Sequence, residues 1–572
     1  MNDSENKRRF EKFHGFIAAA VLVFLPALLV LLNAAKLHYP TAQWDGWALD
    51  AALAIRGGTF AQTPYLVHTP LYLYLLSFFQ QLFHGGFIEG ARIFGFACYL
   101  ITGWLVFGLS MRVVPEGGKL TAGLLGAALY FTSPLAVQGA LLIDLGDTSV
   151  VPLAATAYAY LLARGGSGIL SGVLLTSAFA LNLWAKLIHS FFFVIAALAD
   201  ALVNGKDARS GRHLRLIGAG IFFFLATWMI YAFTSLKAGD HWKPMEYLVK
   251  EMLFNYQRQD LAVDLGKVFA SRLHNGFRVM LWIWPPLLLW GISILKRGLG
   301  PHPERYFNYF ILIFLAAAVV SKGVSNGFPK YHSAVLPLLC ALGGAYAAKT
   351  LAGLQWGRLL PRAAAAVAVV WFLIFFAGDP FYSFNYGFKM AIINGSGMAE
   401  TALRLVVELL SVPVAILLLF YAVRRFFDSQ TAAIFSLLAA GLVWQTAVGY
   451  CQARGDYFTT YGYGTTGKAA AVAYIKRNIG KGVVFGPNEF GWEFREAGVR
   501  FLNVSDFCQM NESCVLGILR DRRTDFFVFG PASNTVRQVG DFLGFTADKV
   551  GRKFSVIKKG DFWIYVFHKP RN

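Results

Sequence analysis

Long apolar runs, separated by short polar stretches, make up most of the first 450 residues of the chain. A run of about 20 apolar residues is long enough to cross a bilayer as a helix. The pattern predicts about thirteen membrane helices, with ends accurate to several residues. They lie near residues 15–36, 88–110, 120–138, 148–163, 168–184, 187–203, 214–234, 277–295, 306–320, 332–350, 363–378, 401–422 and 431–450.

After residue 450 the pattern changes to a helix and short strands. The stretch "TTGKAAAVAYIKRNIG" predicts a helix that ends at Gly480. Strands are predicted at "GVVFGPN", "VRFLNVS", "DFFVFG" and "FWIYVFHK". The fold class is therefore a polytopic α-helical membrane protein with a C-terminal soluble α/β domain.

The basic residues between the apolar runs predict the orientation of the chain. They fall mostly in alternate loops, as expected when the loops rich in Lys and Arg are cytoplasmic. The sequence thus predicts a bacterial inner-membrane protein with a cytoplasmic N-terminus at residues 1–14. A membrane domain at 15–450 carries a first outward loop at 37–87, with interfacial helices, and a long outward loop at 235–276. The α/β domain at 451–572 follows on the periplasmic face.

Composition narrows the function classes. Of the 572 residues, 56% are hydrophobic and 15% are charged, against about 25% charged residues in ordinary soluble domains. The net charge of +20 would suit a nucleic-acid-binding protein, but membrane orientation already accounts for the basic loops. No nucleic-acid partner is expected, and the sequence has no P-loop or dinucleotide-binding glycine motif.

The stretch "QWDGWALDAALAIRGG", residues 43–58, places carboxylates where the first predicted span meets the outer surface. A transfer from a lipid-linked sugar needs a base for the acceptor hydroxyl and cations for the leaving phosphate, both at headgroup depth. Asp45 is the first candidate base, and Asp50 would point elsewhere on a helix. A helix cap or a solvated charge is the alternative for Asp45, and Trp44 would either stack on a sugar or anchor the interface.

A second outward loop contains Asp144 and Asp147, which are three residues apart and would share one helical face. The alternative for Asp147 is that it caps the next span. Lys186 lies between two long apolar runs, where a charge is costly and therefore a functional candidate. Lys330 opens a span on the outer side, where positive charge is unexpected. Further phosphate contacts are expected from Arg258 and Arg272 of the long loop.

The sequence leaves a metal site and a disulfide open. His68, His241 and His274 lie on outward loops and would allow a divalent metal ion, but their spacing matches no strong metal motif. Cys508 and Cys514 are either a local disulfide in the oxidising periplasm or two free thiols. No cofactor is required by any motif.

Several motifs follow one another in an order that resembles a known family. They are Asp45-Gly46-Trp47, Thr69-Pro70-Leu71-Tyr72, Asp147-Thr148, Lys186, and Lys330-Tyr331 with Pro337. Over residues 15–350 this order resembles the C-type glycosyltransferases, and within them the protein-mannosyltransferase-like bacterial branch that includes the aminoarabinose transferase of lipid A. Two positions depart from the pattern. Gly46 stands where relatives have an acidic residue, and Val67-His68 replaces a charged pair.

The resemblance implies a function and roles for the site residues. The donor would be a polyprenyl (undecaprenyl) phosphate sugar, the acceptor a lipid, glycan or protein, and the reaction an inverting displacement among membrane lipids. Asp45 would be the general base, and Asp147 would place the acceptor or a cation. The remaining roles are phosphate binding by Lys186, Lys330, Arg258, Arg272 and Tyr331, and an acceptor or sugar pocket formed by Trp44, Asp50, His68 and Asp144.

Two other function classes fit the composition. A flippase of the same lipid would need charges deep inside the spans, whereas the charges gather on one face and only Lys186 could lie deep. A non-catalytic scaffold of the cell envelope would make Asp45 replaceable.

Overall fold

The structure is a computed structural model, and it describes most of the chain. The described residues are 15–41, 45–62, 68–82, 87–114, 118–203, 207–237, 239–249, 265–320, 329–352, 365–366, 368–369, 398–455, 467–479, 482–486, 490–503, 512–520, 524–529, 551, 553–560 and 562–568.

Sixteen described helices precede the C-terminal domain. In chain order they are α1 (Gly15–Leu32, with a π-helical stretch at Ala20–Phe24), α2 (Asp45–Arg56), α3 (Leu71–Leu82), α4 (Phe87–Arg112), α5 (Lys119–Phe131), α6 (Pro134–Ala140), α7 (Val150–Arg164), α8 (Ile169–Ala185), α9 (Leu187–Val203), α10 (Ala208–Ser235), α11 (Lys243–Val249), α12 (Leu265–Arg297), α13 (Glu304–Val320), α14 (Leu336–Leu351), α15 (Met398–Val423) and α16 (Ser429–Arg454).

Every predicted span except 363–378, which lies mainly outside the described residues, coincides with a helix or a helix pair. By length and composition, four of the described helices could cross a membrane, namely α1, α4, α10 and α16. The pair α5–α6, bent by 59° at its break, would make a fifth. These apolar helices fit a helical membrane protein, and the number thirteen stays a prediction.

Small residues bring several of these helices into backbone contact. A Cβ on Gly344 of α14 would lie 2.5 Å from the backbone nitrogen of Gly126 in α5. A Cβ on Gly95 of α4 would lie 2.0 Å from the carbonyl oxygen of Ala140 in α6. In lipid, where apolar surface alone does not drive helices together, such close packing stabilises their association. The contact at Ala140 also holds the C-terminal end of α6, from which the second loop described below begins.

The first loop, residues 37–87, contains α2 and α3, as its apolar pattern predicts. Both helices turn an apolar face into one buried cluster with α4, which includes Leu49, Tyr72 and Phe87. Their opposite faces are more exposed, with Tyr74 and Phe78 among the exposed side chains. This arrangement holds the start of α2, and hence Asp45, firmly against the membrane domain.

The C-terminal domain contains a five-stranded mixed sheet in the order β2-β1-β3-β5-β4. Its strands are β1 (Val483–Gly486), β2 (Arg500–Asn503), β3 (Phe526–Phe529), β4 (Phe554–Lys559) and β5 (Phe562–Phe567), and its helices are α17 (Lys468–Asn478), α18 (Gly491–Glu496) and α19 (Glu512–Arg520). Strand β1 pairs in parallel with β2 and β3, whereas β5 runs antiparallel to β3 and β4.

Strands occur in all four stretches where the sequence predicts them, and β4 is an addition. The helix predicted to end at Gly480 ends at Asn478, and Gly480 lies outside the described residues. Cys514 is disulfide-bonded, while Cys508 lies outside the described residues. The solubility of this domain and its periplasmic location stay predictions.

Candidate active site

Two aspartates and two lysines form a buried cluster between the second loop, residues 141–149, and the loops that follow α8 and α13. Lys186 Nζ lies 2.5 Å from Asp147 Oδ1, and Lys330 Nζ donates to Asp144 Oδ2. Lys330 Nζ is also 3.9 Å from Asp147 Oδ2. Each of the four residues is less than a tenth exposed. Because two positive and two negative charges meet here, the cluster is close to neutral, which offsets part of the cost of burying each charge.

A tight turn in the second loop points both carboxylates inward. Leu145 and Gly146 have φ angles of +37° and +74°, a left-handed conformation that glycine adopts without a Cβ clash. The turn brings the Asp147 amide to the Asp144 carbonyl oxygen at 3.2 Å. A Cβ on Gly146 would lie 2.8 Å from the Tyr72 ring, so this position also allows the first loop to approach.

The capping alternative for Asp147 is wrong. Helix α7 begins at Val150, and its N-cap is Ser149, whose side chain makes no capping hydrogen bond. The Asp147 side chain is instead bound by Lys186, and the Thr148 hydroxyl donates to the Gly139 carbonyl at 2.7 Å. The carboxylate therefore belongs to the ion-pair cluster.

Both lysines stand at breaks between helices. Helix α8 ends at Ala185 and α9 begins at Leu187, so Lys186 alone is extended, with φ −165° and ψ 120°. Lys330 lies in a single 3₁₀ turn at Pro329–His332, before α14. Tyr331 lies between the two cations, with its ring centre 4.9 Å from Lys330 Nζ and 6.0 Å from Lys186 Nζ.

Asp45, the first residue of α2, is completely buried beside this cluster. Its Oδ1 accepts a hydrogen bond from the Ile143 amide at 3.0 Å, and its Oδ2 lies 3.8 Å from Arg92 Nη2. Ile143 precedes Asp144 in the chain, so the first loop joins the second loop at the ion pairs. The solvated-charge alternative for Asp45 is therefore wrong.

Arg92 of α4 is a site residue that sequence reasoning missed. It is completely buried and donates to the carbonyl oxygens of residues 36, 37, 39 and 40, where the chain enters the first loop. It also donates to the Leu141 carbonyl at 3.1 Å. The feature of the sequence that could have identified Arg92 is its place inside an apolar run, where a charge is costly and requires partners.

Burial and the neighbouring charges set the protonation states of the cluster. Burial raises the pKa of the Asp144 carboxyl above its usual range, although Lys330 opposes this effect. Burial acts in the same direction at Asp147, but Lys186 and Lys330 outweigh it and hold the Asp147 pKa below its usual range. Burial and the charge of Lys186 lower the pKa of His68, which is half-buried, to about 3. At neutral pH His68 is therefore uncharged.

Four buried polar atoms at this site have no hydrogen-bond partner among the described residues. They are Asp147 Oδ2, Ser149 Oγ, His189 Nδ1 and Ser333 Oγ. Buried polar groups in proteins are usually paired, so unpaired ones mark places where a ligand or water binds. The ammonium groups and these hydroxyls together suit a phosphate group.

The remaining predicted residues lie apart from the cluster or outside the described part of the chain. Asp50 pairs with Arg495 of the C-terminal domain, and the His241 ring is tilted by 49° against that of Trp242, with ring centres 5.1 Å apart. Trp44 and Arg258 are not described, nor are the side chains of Arg272 and His274, which lie within α12. Within the described residues, no group of three or more His, Cys, Asp or Glu side chains could hold a metal ion.

The fold has counterparts among solved structures, although no protein-family model and no curated protein matches the sequence. The crystal structure of ArnT from Cupriavidus metallidurans bound to undecaprenyl phosphate matches 96% of this chain and 98% of its own, with a TM-score of 0.54 and 13% identity. The chain has the ArnT fold. ArnT in the apo state gives a TM-score of 0.54 at 14% identity, over the same shares of both chains. AglB, an oligosaccharyltransferase from Archaeoglobus fulgidus, covers 91% of this chain and 70% of its own, with a TM-score of 0.41 and 13% identity.

The ArnT match confirms, for the fold, the resemblance predicted from the order of the motifs. ArnT is the lipid A aminoarabinose transferase and a C-type glycosyltransferase. At this level of identity the match shows the fold alone, so any reaction has to follow from the buried residues around Asp45 in this chain.

Proposed function

We propose that this protein is an inverting glycosyltransferase that moves a sugar from a polyprenyl (undecaprenyl) phosphate donor to a lipid, glycan or protein acceptor. The observation that carries the proposal is the pair of buried lysines, Lys186 and Lys330, each held by an aspartate beside Asp45. Buried cations at a membrane boundary are costly and mark functional sites. The undecaprenyl phosphate bound to ArnT, which has the same fold, supports the donor class.

The lysines would bind the phosphate of the donor. In the resting protein, Asp144 and Asp147 neutralise the two ammonium groups, so the site is stable without a ligand. A phosphate oxygen entering beside Lys186 and Lys330 would accept charge-assisted hydrogen bonds from both. The unpaired hydroxyls of Ser149 and Ser333 would donate further hydrogen bonds. Arg258 of the long loop or Arg272 of α12 would complete the phosphate site.

Asp45 would act as the general base in a single displacement. The acceptor hydroxyl gives its proton to Asp45 Oδ2 while its oxygen attacks the anomeric carbon of the sugar. The bond between that carbon and the phosphate oxygen breaks, and the electron pair leaves with polyprenyl phosphate. Lys186 and Lys330 stabilise the charge that develops on this phosphate. The leaving group needs no proton, so one carboxylate is sufficient.

Burial of Asp45 constrains how the acceptor enters. Since no part of the Asp45 side chain is exposed, the acceptor would reach it only after residues that cover it move. Such movements are common steps in enzyme cycles. His68 and Trp44, both on the first loop, would then line the acceptor side of the site. The active face and the C-terminal domain would be periplasmic.

The test is sugar transfer by purified protein supplied with radiolabelled lipid-linked sugars from membrane extracts. Asp45→Asn should lower the rate about 10²-fold or more, the usual effect of removing a general base. Asp50→Asn is the matched control, because Asp50 lies on the same helix but pairs with Arg495. A folded Asp45→Asn protein with wild-type transfer would contradict the assignment, and the base would then be sought at Asp147.

A further inference from the structure

Helix α18 of the C-terminal domain contacts two parts of the protein at once. Phe494, together with the preceding Phe490, packs into the core of its own sheet. Trp492 instead joins the apolar cluster formed by the first loop and α4, with its ring centre 5.7 Å from that of Phe87. The helix therefore connects the C-terminal domain to the segment that carries Asp45.

The buried polar contacts of α18 converge on Thr41 of the first loop. Glu493 Oε1 accepts hydrogen bonds from the Thr41 amide at 2.6 Å and from the Thr41 hydroxyl at 2.7 Å. Lys468 of α17 donates to the Thr41 carbonyl and lies 3.2 Å from the same Glu493 oxygen. Both Thr41 and Glu493 are less than a twentieth exposed. The chain is thus held four residues before Asp45.

A close approach next to Asp45 explains the glycine at position 46. A Cβ on Gly46 would lie 3.4 Å from the Cβ of Trp492 and 3.9 Å from its backbone nitrogen. A methyl group fits at that distance, but a longer side chain would have to displace Trp492. Position 46 therefore has a glycine in place of the acidic residue of the family pattern, and Trp492, more than 440 residues away in the sequence, packs against it.

We propose that the C-terminal domain completes the active site by positioning Asp45. Glu493 is the positioning residue, and Gly46 leaves the space that Trp492 occupies. The proposal rests on the proposed function, in which Asp45 is the base. Glu493 fixes the segment before Asp45, and Trp492 packs against the residue after it. The carboxylate is thereby held between the Ile143 amide and Arg92.

Two observations distinguish this contact from ordinary domain packing. Glu493 Oε2 and Trp492 Nε1 are buried and have no hydrogen-bond partner among the described residues. Buried polar groups without hydrogen-bond partners weaken folding, which indicates that this contact has a role other than stabilising the fold. The Arg495–Asp50 pair of the same helix is, in contrast, partly exposed to solvent, and ion pairs that solvent reaches contribute little.

The first test separates positioning from folding by kinetics. Glu493→Ala should lower kcat at least tenfold and leave KM for the donor within about twofold, because the lysines that bind the donor are untouched. Glu493→Gln should restore kcat to within about threefold of wild type, since an amide oxygen still accepts from Thr41. Arg495→Ala is the control and should match wild type. Unchanged kcat in Glu493→Ala would overturn the proposal, as would a failure of glutamine to restore it.

The second test needs no activity and uses hydrogen–deuterium exchange of the full-length protein. Gly46→Ala should leave exchange in residues 39–50 as in wild type, whereas Gly46→Leu and Glu493→Ala should raise it at least tenfold. If wild type transfers no sugar, the proposed function fails, while the exchange result still decides whether the C-terminal domain holds this segment. If wild type is active but Glu493→Ala exchanges like wild type, the positioning proposal alone is wrong.

Discussion

Removing Lys330 should destabilise the protein and inactivate it for two separable reasons. In Lys330→Met, the Asp144 carboxyl loses the ammonium group that pairs with it. Asp144 is 3% exposed, so water cannot replace that partner. Breaking a buried pair from one side costs about 3–5 kcal/mol. Loss of the phosphate contact should independently lower the transfer rate by about 10²-fold or more.

The double variant Asp144→Asn/Lys330→Met separates the two effects. It removes both charges, so most of the lost stability should return, while transfer should stay as low as in Lys330→Met. Stability is measured as the free energy of unfolding from SDS titration in detergent micelles, and transfer is measured on the same preparations. If the double variant is as unstable as Lys330→Met, the buried ion pair is not the cause of the loss.

The same pair predicts a dependence of stability on pH. Burial already raises the folded-state pKa of Asp144, and removing Lys330 raises it further. The folded variant then binds a proton at a higher pH than the unfolded chain does, so its stability falls as the pH rises through the folded-state pKa. The penalty of Lys330→Met should therefore shrink on acidification. A penalty that grows at low pH would refute this reasoning.

Three further predictions follow from single contacts. Gly344→Ala should lower the free energy of unfolding by more than 1 kcal/mol, since overpacking typically costs about 1–3 kcal/mol. Gly218→Ala is the control and should not lower it, because nothing lies within 4 Å of the new methyl group. Equal midpoints of the two variants in SDS titration would contradict this prediction. His68→Asn should leave the shape of the pH–rate profile unchanged above pH 5, because the His68 pKa is about 3 and the ring is neutral throughout; a lost inflection near pH 6 would show otherwise. Asp50→Asn and Arg495→Ala should each change the free energy of unfolding by about 1 kcal/mol or less, and a larger loss in SDS titration would mean that this exposed pair is structural.

The sequence predicts the helices of the membrane domain and most strands because both follow from local patterns. Strand β4 was missed because its "FSVIKK" pattern is largely exposed and lacks the apolar alternation of its neighbours. The number of spans is harder to predict, because helices such as α7 and α14 are apolar but shorter than a full crossing. Length and composition then do not decide whether they traverse the bilayer.

The candidate site was predictable as a set of residue types on one face but not as a set of pairs. Asp144 and Lys330 are 186 residues apart, and no local pattern indicates that they meet. Asp45 was expected at the membrane interface as a base, but no local pattern indicates that it is completely buried and contacts Arg92 and the Ile143 amide. The contact of Trp492 with Gly46 depends on how the C-terminal domain packs on the first loop, which is a property of the folded chain alone.

The stoichiometry of a single reaction tests the proposed glycosyltransferase activity most directly. Purified wild-type protein in vesicles would receive a doubly labelled donor, with ³H in the polyprenyl chain and ¹⁴C in the sugar. If the protein is a glycosyltransferase with Asp45 as its base, one polyprenyl phosphate is released for each sugar that becomes bound to acceptor, and Asp45→Asn abolishes both products together. If the intact donor instead appears on the opposite leaflet with no bond broken, the protein is a transporter of the lipid and the catalytic role of Asp45 is wrong.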